Sequence, residues 1–438
     1  MTEQTLSIAA AFVALLALIS IRVPIGLSLI TVSFFGIAYE TSFRAAIGSI
    51  GRLPFDLSTN WNFSSVPMFL FMGFLAAESG LTKGLFSASR VLLRRLPGVL
   101  ACSSVLASAL FAAASGSSVA TAAAMSKIAI PEMLRHKYDP GLASGAVAAS
   151  GTLGSLIPPS ILMILYGIYA DVSIGGLFLA GVVPGILSVA LYMGMIVLRC
   201  TLSPKLAGET LETANEPDLS LKDLFIAIMP LPILIVVVMG SISAGIATPT
   251  EAGALGALGA LLLVIATGRF EFACFWQSAK QTALSFTAIF IIVVGGALLT
   301  RYVAVAGVSS LLRDMFAGLD SGPLVLLLAI TILYIVLGMF IDTIGLLLLT
   351  APLVVPIAGD LGMDLIWFGI ILIKLLEIGL ITPPVGLNIF VIHSSLRGQI
   401  DLSLILRGVV WFIAMDLLTL ALLIAFPAIT LWLPASVL

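Results

Sequence analysis

Two apolar stretches of this chain each contain a pair of adjacent prolines, and they constrain its fold more than any other feature. The first reads ASGTLGSLIPPS from Ala149 to Ser160, and the second reads EIGLITPPVGLN from Glu377 to Asn388. A Pro-Pro pair supplies no backbone N–H and cannot continue a helix, so carbonyls before it lose their partners. Within a membrane such groups are tolerated only where protein or a polar cavity satisfies them. Broken helices at corresponding positions of two halves are typical of a secondary transporter's binding site.

Composition places the whole chain in a membrane. Of 438 residues, 60% are hydrophobic and only 10% are charged, and apolar runs long enough to cross a bilayer recur along the sequence. The net charge of -2, without a large basic block, predicts no nucleic-acid partner. The three cysteines and two histidines lack metal-ligand spacing. We therefore expect lipid as the surroundings, no organic cofactor and no cysteine- or histidine-based metal centre.

Prolines recur at a spacing of 225 residues. Pro24, Pro131 and the first motif's two prolines fall on Pro249, Pro356 and the second motif's two prolines. Chance predicts about half a coincidence at one spacing, whereas four occur. The only long polar segment, Cys200 to Asp223, lies between the copies and is interpreted as a linker. The chain is therefore predicted to be a duplicated unit.

Charge then sets the orientation of the two copies. Gly98–Pro131 is apolar, is interrupted by Ser-Gly-Ser-Ser, and has basic residues at both ends, which places both ends on the cytoplasmic side. Its counterpart, Pro323–Pro356, is flanked mainly by aspartates, as expected for a hairpin entering from the opposite face. Five full spans per copy make the repeat inverted. The predicted fold is an all-α polytopic membrane protein, an inverted repeat of two five-span units, each with a re-entrant helical hairpin and a broken helix.

This topology predicts seven segments and places both termini outside, with the linker inside. The last span is expected near Ile405–Leu431. In chain order the segments are 1–97 (scaffold, first repeat), 98–170 (transport part, first repeat), 171–199 (scaffold span), 200–223 (cytoplasmic linker), 224–322 (scaffold, second repeat), 323–395 (transport part, second repeat) and 396–438 (C-terminal span).

The hairpin tips and helix breaks are the predicted binding elements, because each leaves backbone groups free near the membrane midplane. Carbonyl oxygens there suit a hard cation such as sodium, and helix N-termini suit a carboxylate. Ser115, Ser117 and Ser118 at the first tip either give hydroxyl oxygens to a cation or cap the second arm. Asp342, with Thr343 after it, is either an N-cap or a charged contact of the solute.

Other polar residues have competing interpretations. Thr382 and Asn388 lie within and just after the second break and are further candidates. Glu251 follows Thr248-Pro249 in a capping-box pattern, which favours a structural role. Lys374 and Glu377 are three residues apart on one helix, so a mutual ion pair competes with a role at a mobile boundary.

Four ordered motifs resemble one family over essentially the whole chain. SGSSVATAAAMSKIAIPEM, ASGTLGSLIPPS, ATPTEAGALGAL and EIGLITPPVGLN are similar to the large membrane subunit of TRAP transporters (tripartite ATP-independent periplasmic), within the ion transporter superfamily. The resemblance implies an elevator-type transporter in the bacterial inner membrane, with periplasmic termini. It also implies sodium-driven uptake of a small solute, usually an organic acid, together with a small four-helix membrane subunit and a periplasmic substrate-binding protein.

The resemblance also implies two sodium sites. By motif, the first comprises Ser115, Ser118, Gly154, Ile157 and Pro159, and the second comprises Gly338, Gly379, Thr382 and Val385. Ser117, Asp342, Thr343 and Asn388 remain the candidate solute contacts.

Three alternatives stay open on the sequence. A stand-alone sodium/solute symporter would keep the fold without a binding protein, and a channel would conduct without stoichiometric coupling. An enzyme is least favoured, because Asp342 and Glu377 are the best carboxylate pair available and no nucleophile motif is present.

Overall fold

The computed structural model describes residues 3–82, 84–208, 221–308 and 323–437, and these residues form helices without β-strands. The helices of the first half are α1 (Glu3–Ser20), α2 (Ile25–Glu40), α3 (Phe43–Ser58), α4 (Ser65–Glu78), α5 (Leu85–Leu92), α6 (Val99–Ser115), α7 (Ser118–Arg135), α8 (Pro140–Leu156), α9 (Ile161–Ala170) and α10 (Ile174–Leu202). Those of the second half are α11 (Leu221–Ile228), α12 (Pro230–Ser243), α13 (Pro249–Ala266), α14 (Phe272–Val305), α15 (Pro323–Gly338), α16 (Thr343–Asp360), α17 (Leu365–Ile381), α18 (Leu387–Ser395), α19 (Leu402–Ala425) and α20 (Ala428–Val437).

The structure reproduces the 225-residue repeat in its hairpins and broken helices. Adding 225 to the bounds of α7 and α8 gives the bounds of α16 and α17. The hairpins α6–α7 and α15–α16 and the broken helices α8–α9 and α17–α18 occupy the predicted positions. Even the N-caps correspond, because Ser117 caps α7 where Asp342 caps α16, and Asp139 caps α8 where Asp364 caps α17. The all-α duplicated fold is therefore confirmed.

Many helices are apolar enough to cross a membrane. Within the described residues, six segments meet a length of at least 18 residues with high mean hydropathy, the broken helix Pro140–Ala170 among them. Shorter apolar helices of 10–17 residues accompany them, including α2 and α6. Hairpin arms that enter and return need less length than full spans. The chain is a multi-pass membrane protein.

The structure corrects some predicted boundaries. The last span does not run from Ile405 to Leu431, because α19 ends at Ala425 and a separate α20 follows Pro427, whose ring cannot continue a helix. The scaffold parts also differ between the repeats. The second copy has one 34-residue helix, α14, where the first copy has α3, a 3-10 turn at Trp61–Ser64, and α4. Much of the linker, and the acidic flank of the second hairpin at Asp314 and Asp320, lie outside the described residues.

The helices pack in two groups. One group consists of α2, α4, α12, α13 and α14, whose main contacts are with one another. The other is built around the hairpins and broken helices, with α6 and α7 both packed on α8, and α15 packed on α17. Helices α10 and α19 pack against α8 and α17 in this second group. Gly408 of α19 allows the closest of these approaches, since a Cβ there would clash with the Gly141 carbonyl oxygen. The contacts between groups run mainly through α4–α6 and α14–α16.

Candidate functional site

The two hairpin tips meet at one cavity. A space of about 140 Å³ is bordered by Ser117 and Ser118 from the first tip and by Asp342 and Thr343 from the second. Its remaining lining consists of Gly116, Val119, Ser155, Ile161, Leu162, Ile344 and Leu380. Two segments 225 residues apart thus bring hydroxyls and a carboxylate to the same point.

A larger cavity of about 350 Å³ adjoins the first on the side of α4 and α14. Ser117 and Asp342 border both cavities, and Ser115 borders the larger one. Its other walls are Leu70, Gly73, Phe74, Ala77, Phe111, Ala120, Ile161, Ser285, Ala288, Ile289, Ile292 and Ile344. Among the described lining residues of both cavities there is no lysine, arginine or histidine. An anion bound here would therefore meet hydroxyls, backbone groups and helix N-termini rather than a basic side chain.

The first tip lies directly on the first helix break. A Cβ added to Gly154 would come within 2.9 Å of the Ser117 carbonyl carbon and 3.0 Å of the Ser118 nitrogen. On the other side, a Cβ at Gly116 would lie 3.2 Å from the carbonyl oxygen of Pro159. Ile157 ends α8, and its side chain contacts Gly185 of α10. The predicted residues of the first sodium site thus converge, with Ile157 contributing backbone to the break.

Hydroxyl contacts organise this tip. Ser117 is the N-cap of α7 and accepts from the Ala120 N–H. The Ser115 Oγ lies 2.9 Å from the Thr121 Oγ1. Ser118 is buried, and its Oγ lies 2.9 Å from both the Ser155 Oγ and the Glu377 carboxylate. The N-cap of the second arm is therefore Ser117, while Ser115 accepts from the Ser117 N–H at 3.4 Å and Ser118 bonds side chains of other helices.

The second tip contacts the second break through backbone. A Cβ at Gly379 would lie 2.7 Å from the Gly338 Cα, so the end of α15 and the last turns of α17 touch. Beyond the break, the Gly386 N–H donates to the Met339 carbonyl oxygen at 3.3 Å. Thr382 ends α17, and its hydroxyl donates to the Ile378 carbonyl at 2.5 Å.

Val385, the remaining residue of the predicted second sodium site, and Asn388 both lie away from the two cavities. Val385 is half-buried in the loop between α17 and α18 and borders neither cavity. Asn388 is buried on α18, where its amide donates to the Ala148 carbonyl at 3.3 Å, and it also borders neither cavity.

Asp342 is an N-cap in the structure, and its contact with the solute stays a prediction. Its carboxylate caps α16 by accepting from the Ile344 and Gly345 N–H groups at 3.1 and 2.9 Å, and the residue borders both cavities. Thr343, the first residue of α16, borders the smaller cavity. Capping places an acidic group at a helix N-terminus, where the dipole stabilises it.

A buried ion pair near the site was missed by sequence reasoning. Lys374 does not pair with Glu377. Its Nζ lies 2.5 Å from the Oδ1 of Asp416 on α19 and 3.2 Å from the Ser188 Oγ on α10. The Tyr192 hydroxyl donates to the same Asp416 oxygen at 2.5 Å. The sequence does contain a sign of this pair, because Asp416 lies inside the last apolar span and buried acids in membrane segments need partners.

The structural interpretation of Glu251 is confirmed. The Thr248 hydroxyl accepts from the Glu251 N–H, and the Glu251 carboxylate accepts from the Thr248 N–H, which completes a capping box at the start of α13.

Comparisons with known proteins agree with this fold. The family described as tripartite ATP-independent periplasmic transporter, DctM component, matches residues 12–429. The chain is 34% identical to the sialic acid TRAP transporter large permease protein SiaM of Vibrio cholerae, with 96% of each chain covered. It is 33% identical to the C4-dicarboxylate TRAP transporter large permease protein DctM of Pseudomonas aeruginosa, covering 89% of this chain and 90% of that one.

A solved structure supports the fold independently of close sequence similarity. The YdaH transporter of Alcanivorax borkumensis superposes with a TM-score of 0.59 at 16% identity, covering 86% of this chain and 89% of that chain. Because the family match spans nearly the entire sequence, the chain belongs to the DctM family, the large membrane subunits of TRAP transporters.

Proposed function

We propose that this chain is the translocating subunit of a sodium-coupled uptake system for a small organic anion. The observation that carries the proposal is the meeting of both hairpin tips at one cavity, with each helix break touching its own tip. Such a site offers backbone carbonyls and hydroxyls to cations and helix N-termini to an anion.

The lining chemistry supports coupling to a cation. With no basic side chain among the described lining residues, a solute carboxylate would need its charge balanced by something that enters with it. Sodium ions at the tips and breaks would supply that balance. In the proposed arrangement, Ser115, Ser118, Gly154, Ile157 and Pro159 hold one sodium, while Gly338, Gly379, Thr382 and Val385 hold the other.

The solute would be small and acidic, and it would contact Ser117, Asp342 and Thr343. Relatives are described as transporters of sialic acid, C4-dicarboxylates and isethionate, which share an acidic group. The 350 Å³ cavity is within the size range of sites for small molecules. We assign this cavity, which Ser117 and Asp342 border, to the solute, and the other hydroxyls and backbone carbonyls of the tips and breaks to the cations.

An elevator movement fits the packing in two groups. The larger cavity is bordered by α4 and α14 from one group and by both tips from the other, so the solute would lie at their boundary. We propose that the hairpins and broken helices move against the scaffold in a bacterial inner membrane, with both termini periplasmic. A small four-helix membrane subunit would brace the scaffold, and a periplasmic binding protein would deliver the solute.

Uptake into proteoliposomes that hold this chain and its small subunit tests the proposal. Solute-loaded binding protein is offered with and without an inward sodium gradient, and uptake is expected only when both are present. Uptake that ignores the sodium gradient would overturn the coupling. Uptake with sodium but without the binding protein would instead favour a stand-alone symporter, and currents far above transporter turnover would indicate a channel.

A further inference from the structure

Glu377 is a fully buried carboxylate whose role the proposed sites do not explain. It lies on α17, two residues before Gly379, and only 1% of it is exposed. Its two carboxylate oxygens each accept from the Ser118 hydroxyl at 2.9 Å. The Ser155 Oγ lies 2.9 Å from the Ser118 Oγ and so belongs to the same polar cluster. An acid at this depth that contacts a hairpin tip from the opposite repeat calls for a functional explanation.

Ser155, Ser118 and Glu377 form a connected polar cluster against the smaller cavity. Ser118 and Ser155 border that cavity, their hydroxyl oxygens are 2.9 Å apart, and Glu377 lies behind Ser118. Each serine hydroxyl owns one proton and two lone pairs. When the Ser118 proton points to the Glu377 carboxylate and the Ser155 proton points to Ser118, only lone pairs remain on the cavity side. Two neighbouring oxygens that both present lone pairs are suited to a hard cation.

The charges buried in this region also indicate a cation in the smaller cavity. This part of the described chain contains one buried base, Lys374, and it is engaged by Asp416 and Ser188. Glu377 is left with a hydroxyl partner, Ser118. An ionised carboxylate buried without a countercharge is costly, by several kcal/mol per ion as an order of magnitude. A cation in the cavity, on the other side of the two hydroxyls, would remove that cost.

We propose that Ser155 is an additional ligand of the first cation site and that Glu377 is its positioning residue. Glu377 accepts the Ser118 proton and Ser118 accepts the Ser155 proton, so both serines turn lone pairs toward the cavity, and Glu377 supplies the negative charge that retains sodium there. This inference rests on the proposed sodium coupling and adds a charged group to a site otherwise made of neutral oxygens.

Sodium-dependent thermal stabilisation of the purified chain in detergent tests the proposal without requiring transport. The unfolding midpoint is followed against sodium chloride, with choline chloride keeping the ionic strength constant. Glu377→Gln keeps the shape but removes the charge, and we expect its half-saturating sodium concentration to rise about tenfold. Glu377→Asp retains the charge at a longer distance and should fall between wild type and Glu377→Gln.

Ser155→Ala should also raise the half-saturating sodium concentration. Its matched control is Ser150→Ala on the same helix, because Ser150 is equally buried but bonds the Ser108 hydroxyl at 2.9 Å and borders neither cavity. That control should respond to sodium like wild type. A purely structural role for Glu377 would lower the midpoint without sodium and leave the half-saturating concentration unchanged.

The outcomes separate this inference from the proposed function. If wild type gains no stability from sodium, the proposed coupling fails. If wild type is stabilised but Glu377→Gln and Ser155→Ala keep its half-saturating concentration, the coupling stands and this inference is overturned. Should Glu377→Gln not fold, Glu377→Asp and Ser155→Ala decide the question alone.

Discussion

At the scale of single residues, Gly154 fixes how closely the first tip can approach the first break. The atoms that a Cβ would meet, at 2.9 and 3.0 Å, belong to the backbone of Ser117 and Ser118, so no side chain can rotate away. Overpacking of this kind typically costs about 1–3 kcal/mol. The glycine is thus needed for the contact between tip and break rather than for helix formation.

Gly154→Ala is therefore expected to displace the tip and weaken cation binding. We expect the sodium concentration for half-maximal uptake to rise at least about tenfold, equivalent to ~1.4 kcal/mol. Sodium titration of proteoliposome uptake measures this. Gly194→Ala in α10 is the control, because a Cβ there meets nothing within 4 Å and should be neutral or stabilising by up to about 1 kcal/mol. Equal sodium dependence in the two variants would contradict the argument.

At the scale of helices and hairpins, sequence reasoning was most successful. The Pro-Pro breaks, the Ser-Gly-Ser-Ser tip and the 225-residue offset are local signals, because proline and capping residues act on the backbone within a turn. The missed features are not local. Lys374 meets Asp416 only because α17 packs on α19, and spacing along one helix instead favoured the wrong partner, Glu377.

Helix capping also provides a matched pair of acids for testing the solute site. Asp342 and Asp364 directly precede α16 and α17 and have the same role, each accepting from the N–H groups of the second and third residues of its helix. Their surroundings differ, because Asp342 borders both cavities, whereas Asp364 is exposed at the protein surface and borders neither. The charge of Asp342, beyond its cap, is therefore available to the solute site.

Asp342→Asn is expected to separate these two roles. Asparagine caps helices about as well as aspartate, so thermal stability should change by less than about 1 kcal/mol. Loss of the carboxylate removes a like charge beside the anionic solute, so the solute KM for uptake should fall about tenfold. Asp364→Asn, which keeps the cap and changes no cavity residue, should transport like wild type. If both variants transport normally, Asp342 is a cap and nothing more.

At the scale of the whole molecule, the central question is whether the two helix groups move relative to each other. The sequence assigns each helix to a copy of the repeat. It does not show which helices move together, because that depends on which helix surfaces slide past each other. The described contacts place α10 and α19 against the broken helices, in regions predicted as a scaffold span (171–199) and the C-terminal span (396–438). Two adjacent glycines on α14 face different groups and make the movement testable. A Cβ at Gly295 would lie 2.8 Å from the Leu29 Cβ on α2, and one at Gly296 would lie 3.2 Å from the Leu348 Cβ on α16.

Two cysteine pairs, each introduced separately into a variant in which Cys102, Cys200 and Cys274 have been replaced, should therefore affect uptake differently. Both pairs are close enough for a disulfide after a small backbone adjustment. A cross-link between Gly296→Cys and Leu348→Cys joins the scaffold to the second hairpin, so oxidation should abolish uptake and reduction should restore it. A cross-link between Gly295→Cys and Leu29→Cys joins two scaffold helices and should leave uptake unchanged. Uptake that persists with the first pair fully cross-linked would mean that α14 and α16 travel together, and the boundary of the moving body would then lie elsewhere.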